Sequence, residues 1–216
     1  HAVIKDKNTI IVDEGAAIEC NNIIIATGCR AKEFPGTQFD GKKILNYKHA
    51  MTLEKIPSKI AIIGAGAIGV EFAYFFNSFG SEVTIIEALD RILPNEDKDI
   101  SKELEKSFKK KKIKTILSTK IDEIKSSKTV KIKFSDEEVE VDAVLVAIGV
   151  NGNYESVLGD MDIKIAKNFL SANEFMQTNY SNIYAIGDIS GPPWLAHVAS
   201  SEGVLAVEHL SSLNPT

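Results

Sequence analysis

Apolar residues in this chain follow two textures: short, nearly continuous runs, and longer stretches in which they recur every three or four positions. The continuous runs at residues 22–27, 60–63, 82–86, 114–117, 141–148 and 183–186 predict buried strands, because a strand covered on both faces needs apolar side chains on both. The periodic stretches predict helices over residues 67–79, 97–112 and 197–210. The middle helix places Ile100, Leu104 and Phe108 on one face at i, i+4 and i+8. From residue 121 to 139 the texture changes again. There Ile121, Ile124, Val130, Ile132, Phe134 and Val139 alternate with polar residues, which predicts an antiparallel meander with a turn at Ser126 and Ser127.

Turn formers punctuate these elements. Val3 to Val12 hold two β-like runs around the polar Lys5 to Asn8, a hairpin pattern, and Asp13-Glu14-Gly15 supplies another turn. Phe34-Pro35-Gly36 and the polar residues up to Lys43 read as a surface connection. Leu93-Pro94-Asn95 and Gly191-Pro192-Pro193 break the chain before the second and last helices. Strands and helices alternate in order, so the pattern predicts an α/β fold with a parallel sheet. A boundary near Met51 gives segments 1–50, 51–150 and 151–216.

The chemistry concentrates where apolar runs end. Gly64, Gly66 and Gly69 follow a strand and open a helix at the G-x-G-x-x-G spacing. Gly64 permits the tight turn, Gly66 lets backbone approach a pyrophosphate, and Gly69 allows the helix to pack closely on the strand. The helix N-terminus then faces the phosphates. Gly80 fits a left-handed cap at the far end of that helix. The next strand ends in Glu87, roughly twenty residues beyond the glycines, where a carboxylate accepts hydrogen bonds from a ribose diol and repels a 2'-phosphate. Arg91 is the only nearby cation, so the pattern predicts NAD over NADP. Thr27-Gly28 also ends an apolar run, which by itself is a strand and its turn. Asp188 ends another and is either a hydroxyl-binding carboxylate or a turn cap. The lysines at residues 109–112 suit the negative end of a helix dipole and read as a solvated C-terminus.

Composition narrows the classes. The 216 residues are 44% hydrophobic and 25% charged, enough for a substantial core, and the net charge of −5 offers no general attraction to nucleic acid or anionic membrane. No apolar run approaches the roughly 18 residues that span a bilayer. The chain opens without Met, so a natural N-terminus with any address is expected to lie outside it. Its two cysteines, Cys20 and Cys29, flank a strand-like run. An extended path between them separates their backbones by about 30 Å, too far for a disulfide. Neither belongs to a metal-ligand spacing, and no metal site is expected.

Four blocks together resemble the flavin-dependent pyridine nucleotide-disulfide oxidoreductases: Ala26-Thr27-Gly28, the run from Gly64 to Glu71, Tyr184-Ala185-Ile186-Gly187-Asp188, and Gly191-Pro192-Pro193-Trp194-Leu195-Ala196-His197. The resemblance covers nearly the whole chain. Leu195-Ala196-His197 favours the branch that oxidises dihydrolipoyl groups over relatives acting on glutathione. The resemblance implies a Rossmann-like NAD-binding domain, residues 51–150, with parallel sheet, helices and β meander. This domain is inserted in an incomplete FAD-binding domain made of residues 1–50 and 151–216. It also implies NAD contacts from Gly64, Ala65, Gly66, Ala67, Ile68, Gly69, Val70, Glu71, Glu87, Ile121 and Gly149. FAD contacts are implied for Thr27, Gly28, Cys29, Asp188, Trp194, Leu195, Ala196 and His197. By the same resemblance Asp188 meets the ribityl chain and the helix entered at His197 points toward the flavin ring. Glu71 lies where nicotinamide and flavin meet, paired with a lysine in a segment absent here.

Departures from the family pattern carry equal weight. Members begin with another G-x-G-x-x-G and a redox-active C-x-x-x-x-C, and end with a dimerisation domain bearing a catalytic His-Glu pair. None of these occurs in this sequence. Cys20 and Cys29 fall in the wrong place for the redox pair, and neither His197 nor His209 matches the catalytic histidine, so no catalytic residue is expected. Val150 stands where many relatives carry Arg. The expectation is an internal piece of an enzyme that moves electrons from dihydrolipoyl groups through a disulfide and FAD to NAD. The piece itself is expected to be inactive, to bind NAD and not to retain FAD. The implied partners of the intact enzyme are a lipoyl-bearing acyltransferase complex and a second copy in a homodimer, with no nucleic acid or membrane. Strands left without neighbours favour self-association. The implied compartment is the bacterial cytoplasm or the mitochondrial matrix. The alternatives are a stand-alone, non-catalytic NAD-binding module, or a piece of a related flavin-dependent NADH oxidase or disulfide reductase.

Overall fold

The computed structural model describes residues 1–13 and 15–213. Two compact units divide them: Ala31–Gly149, and His1–Arg30 with the described part of Val150–Thr216. The first segment opens with β1 (Ala2–Asp6) and β2 (Thr9–Val12), the expected antiparallel hairpin, with Val3 opposite Ile11 and Ile4 opposite Ile10. The Asp6 carboxylate accepts the Asn8 N–H at 2.9 Å and sets the turn. Of the turn expected at Asp13-Glu14-Gly15, Glu14 lies outside the described residues. A third strand, β3 (Ala16–Glu19), pairs with β2 and was not expected. All four of its residues are exposed, so it carries no alternation of apolar and polar positions to reveal it. In β4 (Ile23–Ile25) the outer two residues are buried and Ile24 is turned outward. The short β5 (Cys29–Ala31) follows.

The Ala31–Gly149 unit starts earlier than the boundary expected near Met51, because Phe34 and Phe39 of the surface connection pack on its core and the residues just past Lys43 form a strand of its sheet. Burial raises the Asp40 carboxyl, but the backbone N–H groups of Lys42, Ile44 and Lys43 hold it net below its ordinary value. That turn delivers β6 (Ile44–Leu45), and an Asn46–His49 capping box then starts α1 (Tyr47–Met51). The expected strand–helix–strand follows as β7 (Lys59–Ile63), α2 (Ala67–Ser78) and β8 (Glu82–Ile86). Gly80 has φ +93°, the left-handed conformation expected after the helix.

Next come α3 (Lys98–Lys110), capped by Asp97, and β9 (Lys114–Ile116). The meander is β10 (Glu123–Ser126), β11 (Val130–Phe134) and β12 (Glu137–Val141), paired antiparallel in that order. The expected strand 141–148 divides: Val141 ends the meander, and β13 (Ala143–Val146) enters the main sheet. That sheet has five parallel strands in the order β6-β13-β7-β8-β9.

Alternate strand residues build two cores, one on each face of the sheet. Ile60, Ile62, Val83, Ile85 and Leu145 pack with Ala73 and Phe76 of α2 and Phe108 of α3. Ala61, Ile63, Ile86, Val144 and Val146 pack with Ile124, Val130, Ile132 and Phe134 of the meander. The unit is therefore three layers, helices over sheet over meander, and the central strands β7, β8 and β13 bury nearly every residue because both faces are covered. One expectation fails: Ile100 is 56% exposed, and the inward face of α3 is Ser101, Leu104 and Phe108. The Ser101 hydroxyl reaches the Leu93 and Asp97 carbonyls, so a small hydrogen-bonding residue takes the inward position at the crowded helix start.

In the last segment β14 (Val150–Gly152) pairs with β5. β15 (Ile165–Ala166) and β16 (Phe169–Leu170) form a small hairpin, and β17 (Ile183–Ala185) runs parallel to β4, placing Ile183 beside Ile23 and Ala185 beside Ile25. A turn of 3-10 helix, Gly187–Ser190, leads toward α4 (Ala196–Leu210). Ile4, Ile23, Ile25, Leu170, Ile183 and Ile189 form the core of this unit.

Candidate functional site

Within Ala31–Gly149 the C-terminal ends of the parallel strands meet at one edge of the sheet. Gly64 leaves β7 with φ +97°, and a Cβ there would lie 2.4 Å from the Ala147 carbonyl oxygen beyond β13. At Gly69 a Cβ would lie 2.0 Å from the Gly64 carbonyl oxygen. These two glycines are thus dictated by packing of helix, turn and neighbouring strand. Gly66 is different: an added Cβ meets nothing within 4 Å, and φ is −71°, open to any residue. Its freedom from a side chain serves nothing inside the chain and leaves open space above the turn.

That space adjoins the start of α2. Gly66 is the N-cap and offers no side-chain cap, and the first intrahelical bond is Val70 N–H to the Gly66 carbonyl at 3.0 Å. Among the described residues, the N–H groups of Ala67, Ile68 and Gly69 have no acceptor, the arrangement that binds a phosphate at a helix N-terminus. Glu87 lies beside this turn with 9% of its surface exposed. One carboxylate oxygen accepts the Ala65 N–H at 2.6 Å and the other the Leu89 N–H at 2.9 Å. The carboxylate therefore fixes the glycine turn as well as offering its remaining lone pairs, about two of four, to a hydroxyl donor.

Residues 88–93 return to the same turn, where Leu93 N–H bonds the Ala65 carbonyl at 2.7 Å. Arg91 donates to the Pro94 carbonyl at 2.7 Å, while its Nε is buried without a partner among the described residues. Ile121 is half-buried beside Ile116 and Ile148. Gly149 is exposed at φ +106° and accepts the Lys32 N–H at 3.0 Å. Gly64 to Val70 and Glu87 thus form one hydrogen-bonded cluster, Ile121 and Gly149 lie among the chain's returns from neighbouring strands, and Glu71 is turned to solvent on α2.

The other unit holds the second group of expected residues. The Thr27 hydroxyl donates to the Asn153 carbonyl at 2.7 Å, the Asn153 side-chain amide donates to the Thr27 carbonyl at 3.0 Å, and the Asn153 N–H reaches the Gly28 carbonyl at 2.9 Å. The Cys29 thiol donates to an Asp188 carboxylate oxygen at 3.2 Å, joining residues far apart in sequence. The Gly187 N–H is held by the Glu202 carboxylate of α4 at 2.6 Å. Trp194 packs on Phe169 at 5.6 Å between ring centroids. Trp194, Leu195, Ala196 and His197 are all exposed at the start of α4, whose N-cap Leu195 makes no side-chain cap. The Cys20 thiol donates to the Asn8 carbonyl, so the two cysteines are bonded to different partners and not to each other.

Sequence reasoning missed Asn153, Glu202 and the Arg30–Glu155 pair. Arg30 forks onto Glu155 at 2.6 and 3.0 Å and also reaches the Gly152 carbonyl at 2.7 Å. The hydrogen bond from Arg30 holds the Glu155 carboxyl below its ordinary value. Glu202 did carry a signal, as the lone acid in the first turns of an otherwise small and apolar helix. Among the described residues no cluster of His, Cys, Asp and Glu suits a metal ion, and no helix is long and apolar enough to cross a membrane.

Residues 1–203 match the family described as pyridine nucleotide-disulphide oxidoreductase. The chain belongs to that family. It is 43% identical over 220 residues to a dihydrolipoyl dehydrogenase of Bacillus subtilis, covering 96% of this chain and 46% of that protein. Against a dihydrolipoyl dehydrogenase of Chlamydia pneumoniae the identity is 42% over 205 residues, covering 94% of this chain and 44% of the relative. Among solved structures, LpdA from Mycobacterium tuberculosis superposes with a TM-score of 0.88 at 25% identity, over 100% of this chain and 50% of that one. The flavoprotein disulfide reductase RclA from Escherichia coli gives 0.87 at 26% identity, over 97% of this chain and 49% of that one. The chain thus spans about half the length of the family members it matches.

Proposed function

We propose that this chain is the pyridine-nucleotide-binding part, with flavin-contacting segments, of a dihydrolipoyl dehydrogenase. The observation that carries the reading is the open space at Gly66 beside uncapped helix N–H groups and the Glu87 carboxylate. An NAD pyrophosphate fits over Gly66 onto the first turn of α2, and the adenosine ribose diol donates to Glu87. Ile121 and Gly149 border that nucleotide, and Glu71 faces its nicotinamide end.

In the other unit, Thr27, Gly28, Cys29, Asp188 and Trp194 to His197 fit an FAD, with Asp188 as acceptor for its ribityl hydroxyls. The flavin, when bound, supplies the electron relay between dithiol and nicotinamide. The chain's own residues bind and orient. Asp188 is half-buried and steadied by the Cys29 thiol, and α4 turns its N-terminus, positive in partial charge, toward bound flavin. The proposal places the protein with a lipoyl-bearing acyltransferase complex, as a homodimer, in a bacterial cytoplasm.

The reading is tested by titrating NADH and NADPH into the 216-residue chain. NADH is expected to bind the more tightly, and equal or tighter NADPH binding refutes the Glu87 assignment. The likeness to RclA supports a second reading, a disulfide reductase of the same family with another dithiol or disulfide substrate. The two are separated by assaying the protein encoded by the whole gene for NADH formation from dihydrolipoamide.

A further inference from the structure

A groove of about 570 Å³ opens at the end of the sheet remote from the glycine turn, where α3 finishes and β9 begins. Lys102, Lys106, Lys109, Lys112 and Lys114 line it, with Glu105 as its one acidic side chain. Residues 98–114 carry eight lysines against three acids in a chain whose net charge is −5. The helix dipole accounts for the lysines of the last turn. It does not account for Lys102 and Lys106 earlier on the helix, nor for Lys114 in the strand.

Lys102 and Lys106 pair with Asp99 at 3.0 Å and Glu103 at 2.5 Å along the exposed helix. Lys109, Lys112 and Lys114 have no acidic partner among the described residues. Lys111 is turned away from the groove lining, toward α2. Lys111 Nζ sits 4.9 Å from the ring centroid of Tyr74, which is 51% exposed, and Asn77 of α2 donates to the Lys111 carbonyl at 3.2 Å.

We propose that this groove docks an acidic segment of a partner polypeptide, its carboxylates laid along the lysines. Charge complementarity selects an anion. The concave shape suits one extended chain and not a bilayer, and its lining holds no aromatic ring on which successive bases could stack. The glycine turn follows the C-terminal ends of the parallel strands while Lys114 starts β9, so the groove is separate from the proposed nucleotide site.

The test is fluorescence anisotropy of a fluorescein-labelled peptide of Glu-Glu-Leu repeats titrated with the full 216-residue chain. Saturable binding is expected, weakening with salt. It should fall at least about tenfold in the Lys109→Glu, Lys112→Glu, Lys114→Glu variant. A control with the same charge change elsewhere, Lys5→Glu, Lys7→Glu, Lys128→Glu, should stay within about twofold of the parent. A triple Lys→Gln variant replaces the charge reversal if thermal melting shows that the reversal unfolds the chain. The proposal is overturned by absence of saturable binding, by equal loss in the control, or by an unchanged affinity in the triple lysine variant. Tighter binding of inorganic polyphosphate, oligo-dT or phosphatidylserine vesicles at the same lysines also overturns it.

Discussion

Replacing Gly66 with Val should abolish NADH binding while leaving the fold almost untouched, whereas the smaller change Gly69→Ala should damage the fold. The first outcome follows from two facts: the backbone at Gly66 has φ −71° and ψ −176°, and an added Cβ meets no heavy atom within 4 Å. Loss of a tolerated helix-cap glycine costs a few tenths to about 1 kcal/mol, and the reduced freedom of the unfolded chain returns about 0.4–1 kcal/mol, so net stability should stay within about 1 kcal/mol of the parent. The same side chain fills the space assigned to the pyrophosphate and forfeits its bonds to the α2 N–H groups. Two such bonds to a charged group amount to at least about 3 kcal/mol, more than a hundredfold in affinity.

At Gly69 the new Cβ would sit 2.0 Å from the Gly64 carbonyl oxygen and 3.0 Å from its carbon, both backbone atoms that cannot rotate away. Turn or helix must shift, at the upper end of the roughly 1–3 kcal/mol range for overpacking. Urea denaturation gives the stabilities, and calorimetric titration with NADH gives the affinities. Gly66→Val binding NADH within threefold of the parent, or Gly69→Ala matching its denaturation midpoint, would refute the division of labour between the two glycines.

Glu87→Ala should weaken the preference for NADH over NADPH and also lower stability by about 2–3 kcal/mol, because the carboxylate holds Ala65 and Leu89 N–H groups in a buried position. Denaturation with an unchanged midpoint would remove that structural role. Arg30→Ala should reduce stability near neutral pH by less than about 1 kcal/mol, since the ion pair is half exposed. Arg30 depresses the folded-state pKa of Glu155, so the Glu155 contribution is present above the ordinary value of 4.5 and fades as pH falls through the depressed one. The gap between parent and variant should therefore narrow on acidification, and a gap constant with pH would exclude the ionic part. The 216-residue chain alone should purify colourless and form no NADH from NAD and dihydrolipoamide, because its only two cysteines are bonded to separate partners, Asn8 and Asp188, and not to each other. A flavin absorption band or turnover would overturn this.

The Ala31–Gly149 fold was largely legible because both faces of its sheet are covered. Residues 60–63 are apolar without a break, and residues 82–86 bury Val83, Ile85 and Ile86 around a single buried Thr84. What escaped notice were elements stabilised by hydrogen bonding instead of by apolar pattern. β6 is two residues long and is delivered by the Asp40 turn, and α1 is five residues held by the Asn46–His49 box. β3 is exposed throughout. The inward face of α3 was misread for a related reason: Ile100 looked like its first anchor, yet the position packed against the core belongs to Ser101, whose hydroxyl satisfies carbonyls that an isoleucine could not.

At the candidate site the sequence distinguished residue types but not their loads. Three glycines at a fixed spacing look equivalent on paper, and only the backbone distances separate the two that packing requires from the one that packing leaves free. Glu87 likewise looked like a carboxylate held in reserve for a ribose, whereas both of its oxygens are already engaged by the turn it serves. This double use has a physical consequence for specificity. A side chain that fixes the turn cannot swing aside to admit a 2'-phosphate without releasing Ala65, so under the proposed binding of the ribose the repulsion is not relieved by movement. Substituting Glu87 should therefore relax the proposed preference for NADH only at a cost in stability, and keeping that stability should require a new acceptor for the Ala65 N–H.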